Sequence, residues 1–242
     1  MAQVTLYDIP TREPRKGWSL NPWKPRMVLN YKGIDYKTEW TEYPDIDGKF
    51  RSFGITPHDR NDPSFLAEYT SPVVRFDDGT FVMDSWNIAH EIEKRYPTPS
   101  LGLDEPIVVQ IKEFISKLFV PLAAEILPKI PRNLLSAPSA EYFERTRAAK
   151  FGMSLTQFEK EKGGDKAWEA AEAPVKELAG ILKKNGGPYF LGDRVTYADF
   201  ILVTFLEFLK RIGDGLYEKF TAFDPAFEKL YDASKQWLNK DD

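Results

Sequence analysis

The sequence predicts an α+β protein of two domains, a mixed α/β unit followed by an all-helical bundle, and three observations predict it. Short β-rich runs and a strong hairpin signal are confined to the N-terminal part. Beyond Leu103 apolar residues recur at helical spacing. Phe200 to Leu209 is apolar nearly all round, the pattern of a central buried helix. The chain of 242 residues, 42% apolar and 29% charged, has the balance of a folded globular protein.

Each element follows in order. Val4-Thr5-Leu6-Tyr7 is β-rich, and Pro10, Pro14 and Gly17 punctuate the loop after it. From Trp23 to Lys32, Met27, Val28 and Tyr31 recur near helical spacing, with Gly33 as the stop. Tyr36 to Trp40 alternates as a strand does. Residues 44–68, polar and rich in Pro, Gly and Asp, predict no regular element. Ser71 to Phe76 reads as a strand, Asp77-Asp78-Gly79-Thr80 as a hairpin turn, and Phe81-Val82-Met83 as the returning strand. Ser85 opens a helix carrying Ile88, Ala89, Ile92 and Tyr96 on one face, which Pro97-Thr98-Pro99 stops. The order β-α-β, connector, β-β-α is that of a thioredoxin-like domain. The expected boundaries are residues 1–97 for this domain, 98–105 for a linker and 106–242 for the helical domain.

In the second domain, Ile107, Ile111, Phe114, Ile115 and Leu118 form one apolar stripe. Trp168, Ala171, Val175, Leu178, Ala179 and Leu182 form another, ended by Asn185-Gly186-Gly187-Pro188. Gly152 to Gly164 reads as a charged surface excursion. Thr196-x-x-Asp199 is a capping-box variant, structural in role, at the head of the buried helix.

Composition narrows the chemistry. With no cysteine there is no disulfide, zinc–thiolate site or protein thiol nucleophile. Two histidines, His58 and His90, provide poorly for a metal cage or a Ser-His-Asp triad, so no metal is expected. A net charge of −4 argues against a nucleic-acid partner. No apolar run approaches the ~20 residues of a membrane span. The N-terminus lacks a basic segment followed by an apolar stretch, so no secretory signal is expected.

Four segments then carry a resemblance: Trp18-Ser19-Leu20-Asn21-Pro22-Trp23-Lys24, Ser71-Pro72-Val73-Val74, Asp84-Ser85, and Tyr189 to Asp199. In order and spacing they resemble the glutathione transferase superfamily. Trp18 to Arg26, Leu29 to Gly33 and Glu42 to Ile46 are similar to its fungal etherase-type branch, with Leu20, Pro22 and Pro25 departing from that pattern. The resemblance implies a cytosolic homodimer that binds glutathione on the first domain. An apolar or aromatic electrophile would lie against the second. Conjugation in a detoxification role, ether cleavage and peroxide reduction all stand open. A non-catalytic carrier of conjugates or aromatic ligands is the alternative, and an interaction scaffold a further one.

The site residues follow from the same resemblance. A free thiol has a pKa near ~8.5, and moving it down by about two units requires about 2.7 kcal/mol of thiolate stabilisation. Ser19, at a helix N-terminus, is the expected donor to sulfur and Asn21 the second; capping alone would also account for both. A cis Ser71–Pro72 bond would present the Ser71 main chain to the cysteinyl backbone. Asp84 and Ser85 would take the γ-glutamyl ammonium and carboxylate. His58, Lys49, Arg51 and Arg60 could meet the glycine carboxylate, and Trp23, Phe114 and Phe119 the second substrate. Serine rather than cysteine at position 19 separates the chain from relatives that favour thiol–disulfide exchange.

Overall fold

A computed structural model describes residues 4–62 and 65–242. Four strands, β1 (Val4–Asp8), β2 (Tyr36–Trp40), β3 (Val73–Arg75) and β4 (Phe81–Met83), form one mixed sheet in the order β2-β1-β3-β4. β1 runs parallel to β2 and antiparallel to β3, and β3 and β4 make the hairpin. All five residues of β1 are buried, as expected of a strand covered on both faces. Tyr7, Val73 and Met83 lie in one row across β1, β3 and β4. The segments that leave this end of the sheet are therefore neighbours: the loop after β1, the residues before β3 and the turn after β4.

Helices α1 (Leu20–Tyr31) and α3 (Ser85–Arg95) pack on each other and on the sheet. Gly33, at φ +65°, supplies the left-handed residue that ends α1. The connector expected to lack structure instead forms a 3₁₀ turn (Tyr43–Asp45) leading into α2 (Ile46–Ser52). Ile46 and Phe50, one turn apart, are its only buried residues, too few for a periodic signal. Phe50 meets Tyr7 edge-on, so contact with the sheet rather than intrinsic propensity holds α2.

The helical domain comprises α4 (Pro106–Ile126), α5 (Lys129–Asn133), α6 (Ala137–Phe151), α7 (Leu155–Lys162), α8 (Asp165–Lys183), α9 (Tyr197–Ile212), α10 (Leu216–Thr221) and α11 (Ala226–Ser234). Every α8 stripe residue named above is buried. α9 is buried along its length except at Lys210 and Arg211, and α4 and α1 both pack against it. The supposed surface excursion is a correction: α7 buries Leu155 completely, and its Glu159 is gripped by Lys129 and Arg132. No described helix is long and apolar enough to cross a membrane.

Three devices fix the N-terminal unit, the first to its own α3 end and the linker, the other two to the helical domain. The fully buried Lys32 ammonium donates to Glu93 and to the carbonyls of Tyr96 and Pro99 at 2.7, 2.7 and 2.6 Å. Glu42 accepts from Ser136 and Ser139 on the α6 side. The C-terminal segment crosses α1, where Asn30 donates to the Trp237 carbonyl and the Asp241 carbonyl accepts from Gly17 N–H at 2.8 Å.

Candidate functional site

The loop after β1 is folded back by a bridge between Pro10 and Gly17 and by Trp18, whose indole donates to the Pro10 carbonyl. Trp18 is buried and stacks on Phe208 of α9. Ser19 therefore emerges at a fixed point as the N-cap of α1, in extended conformation (φ −76°, ψ 136°). Its carbonyl accepts from Trp23 N–H, yet its side chain caps nothing. The half-exposed hydroxyl is thus uncommitted at the positive end of a helix, where an anion is favoured. Pro22 falls in the first turn, where its missing N–H has no partner to lose. Asn21 is exposed beside it, with its amide oxygen accepting from Lys24 Nζ at 2.9 Å.

Ser71–Pro72 is cis, and the β1–β3 ladder begins only at Val73, so the Ser71 main chain lies outside it. The Ser71 hydroxyl donates to the Tyr7 carbonyl at 3.2 Å, which pins this residue to the end of β1. Asp84 N–H donates to the Pro72 carbonyl, which brings the turn after β4 to the same place. Asp84 sits at φ +79°, a region that non-glycine residues rarely occupy, and caps α3 by accepting from Trp86 N–H at 2.8 Å and Asn87 N–H at 3.4 Å. Those bonds leave the N–H and hydroxyl of Ser85 with no described partner. From the second domain, the Tyr197 hydroxyl donates to the Ser85 carbonyl, so the start of α9 braces this turn. Ser71, Pro72, Asp84 and Ser85 are thus gathered at one end of the sheet, the end from which the loop leading to Ser19 also leaves.

Other expected residues lie elsewhere. His58 bonds Thr70 at 2.8 Å and lines a cavity of about 560 Å³ with Phe53, Phe81, Met83 and Asn87. That places it beside β4 and the first turns of α3. Lys49 is paired with Glu39, Arg51 with Asp47 and Glu68, and Arg60 with Glu68. Trp23 is a correction: it is 0% exposed and flanked by the Arg26 and Arg211 guanidiniums, so it offers no face to a second substrate. Phe114 is likewise buried in the core at 4% exposure, whereas Phe119 is half-buried. Among the described residues, no group of three or more His, Asp or Glu side chains is arranged to hold a metal.

Two features escaped the sequence reading. Beneath Gly17, Asp8 and Arg26 form a wholly buried ion pair at 2.8 Å; burial pushes the Asp8 carboxyl up and Arg26 pulls it back. A Cβ on Gly17 would stand 3.1 Å from Arg26 Nε and 3.3 Å from Asp8 Oδ2, so a side chain here would make the ion pair give by a few tenths of an ångström. The second is Lys24, the last residue of the Trp18–Lys24 motif. Burial pushes its ammonium down to about 8, with Asp84 opposing that shift and Lys112 adding to it.

A four-stranded sheet of this order, followed by a helical domain and with polar groups gathered around a cis proline, defines a two-domain thioredoxin-like protein. The sequence matches the glutathione S-transferase N-terminal domain family over residues 18–95 and the glutathione S-transferase C-terminal domain family over residues 110–237. It is 34% identical to the glutathione S-transferase-like protein ustS of Aspergillus flavus, across 92% of this chain and 86% of that one. Glutathione transferase GSTFuA2 of Phanerochaete chrysosporium superposes with a TM-score of 0.87 at 30% identity, covering 100% of both chains. The glutathione S-transferase CsGST63524 of Ceriporiopsis subvermispora, solved in complex with glutathione, gives 0.84 at 31% identity over 97% of each chain. The chain belongs to the glutathione S-transferase family.

Proposed function

We propose that this protein is a glutathione transferase that binds glutathione at the sheet end described above, lowers the pKa of its thiol and directs the thiolate at an apolar or aromatic electrophile. The observation that carries the reading is the Ser19 hydroxyl, held at the start of α1 without capping it. In this reading Ser19 donates to sulfur, with Asn21 as a second donor. The Ser71 main chain pairs with the cysteinyl backbone, held by cis Pro72. Ser85 N–H and hydroxyl take the γ-glutamyl carboxylate and Asp84 its ammonium. His58, which lines the cavity on the α3 side, is a candidate partner of the glycine carboxylate. Phe119 is the member of the expected apolar trio still partly open to a second substrate.

Conjugation at carbon is the leading reaction; ether cleavage and peroxide reduction use the same thiolate. A homodimeric, cytoplasmic enzyme with a detoxifying role completes the proposal. The test is Ser19→Ala, read as the thiol pKa of bound glutathione by thiolate absorbance and as turnover of an activated aryl halide. The pKa should rise and kcat fall about 10- to 100-fold, the effect of removing one donor to a developing anion worth about 1.4–2.7 kcal/mol. Unchanged pKa and turnover overturn the role of Ser19. Tight aromatic binding by calorimetry, with no turnover in the parent, would make the protein a carrier instead.

A further inference from the structure

An asparagine amide is two-faced: its oxygen accepts and its nitrogen donates, so the residue alone does not say whether it suits an anion or a cation. A lysine ammonium only donates. Lys24, one turn after Asn21 on α1, places Nζ 2.9 Å from Asn21 Oδ1. The accepting end of the amide is thereby occupied. The Nδ2 end has no partner among the described residues, and Asn21 is exposed in the same first turn that Ser19 caps. The geometry points to Lys24 as a positioning residue that commits Asn21 to donating, so that α1 presents two donors, Ser19 Oγ–H and Asn21 Nδ2–H, to one anionic atom.

The surroundings agree with this role. Lys24 is half-buried and makes no ion pair with a carboxylate among the described residues, so its ammonium is free to hold the amide. Two charged groups face it from other elements: Asp84 at the start of α3 supports its charge, and Lys112 on α4 opposes it. Lys112 is itself placed over the Trp86 ring at 4.9 Å, on the α3 side. Side chains three apart on a helix lie on one face, which is why the contact forms within a single turn. With the acceptor turned outward instead, the amide would repel a thiolate.

The inference rests on the thiolate reading of the site. Its test is a double-mutant cycle on the full chain, with the thiol pKa of bound glutathione as readout and calorimetric Kd for glutathione alongside. Lys24→Met and Asn21→Ala should each raise that pKa, cutting the thiolate fraction below neutral pH about 3- to 10-fold, or about 0.5–1 pKa unit. The double variant should be no worse than Asn21→Ala alone, and Lys24→Arg, still a donor to Oδ1, should restore most of the effect. Asn21→Asp keeps the Lys24 contact but has no donor, and should match Asn21→Ala or exceed it. The inference is overturned if Lys24→Met acts undiminished in the Asn21→Ala background, because Lys24 then acts on sulfur as a charge. It is equally overturned if either single variant leaves the pKa unmoved. If the parent itself does not lower the thiol pKa, the thiolate reading fails first, a result separate from both.

Discussion

Among the helices of this protein that begin at a hydroxyl residue, α1 and α9 are finished in opposite ways. At α9, Asp199 accepts from Thr196 N–H at 2.7 Å and from Phe190 N–H at 2.8 Å, and both acid and threonine are 0% exposed. At α1, Ser19 is half-exposed, makes no side-chain bond to its own helix, and is followed by Pro22 and Pro25. Environment decides the difference. A buried N–H left unpaired costs about 1–3 kcal/mol, so α9 cannot begin inside the protein without partners. The N-terminus of α1 faces outward, where unpaired N–H groups remain open to an anion. A helix start completed from within is structural, and one left incomplete beside a ligand-sized peptide edge is available for chemistry.

The largest expected effect tests whether the open start needs its rigid floor. Arg26→Met would leave Asp8 buried without a cation, at a cost of about 3–5 kcal/mol. For a chain of this size that is a fall in Tm of at least about 6 °C by circular dichroism. A Tm within about 2 °C of the parent would show that the pair does not hold the loop that aims Ser19. Next comes the finished start. Asp199→Ala strips partners from two buried N–H groups and should cost about 3 kcal/mol, again read by thermal unfolding. Because Tyr197 braces Ser85, glutathione affinity should weaken as well.

The same acid predicts a pH dependence. Burial pushes the Asp199 carboxyl up to about 6, against the hydrogen bonds from Phe190 and Thr196 that favour the carboxylate. Its folded value thus lies above the unfolded value near ~4. Its contribution is most favourable below about pH 4 and is lost as pH rises to about 6, by at most about 3 kcal/mol. Unfolding by urea at pH 4, 5, 6 and 7 should show this loss in the parent relative to Asp199→Asn. Parallel curves for the two proteins would count against it.

Much of this contrast was legible in the sequence, for reasons particular residues explain. The Thr196–Asp199 spacing encodes its own hydrogen bonds, and the Asp77–Thr80 turn fixes the β3–β4 register, so local chemistry announces both. The α8 stripe was readable because six apolar residues repeat on one face. α2 was not, since Ile46 and Phe50 are its only two buried residues and a single pair makes no periodic pattern. The uncommitted state of Ser19 was also invisible, because a serine before a helix usually caps it. Trp23 was misread because an aromatic residue near a cleft carries no sign of whether its ring faces the cleft or, as here, two guanidiniums behind it. The bond from Gly17 to the Asp241 carbonyl involves main-chain atoms far apart in sequence, which no residue pattern records.

The smallest effect discriminates best between the two helix starts. An N-cap Ser or Thr replaced by alanine typically costs about 1 kcal/mol because its oxygen holds an N–H of the first turn. Thr196→Ala should follow that rule, since the Thr196 hydroxyl belongs to the buried cluster around Asp199. Ser19→Ala should not, because its hydroxyl holds nothing in α1, and its unfolding free energy should stay within about 0.5 kcal/mol of the parent. The same variant should lose thiolate stabilisation, so its defect is one of chemistry without one of stability. If Ser19→Ala and Thr196→Ala instead destabilise the protein equally, the serine is a cap in solution. The two helix starts are then alike, and the hydroxyl has no freedom to give to sulfur.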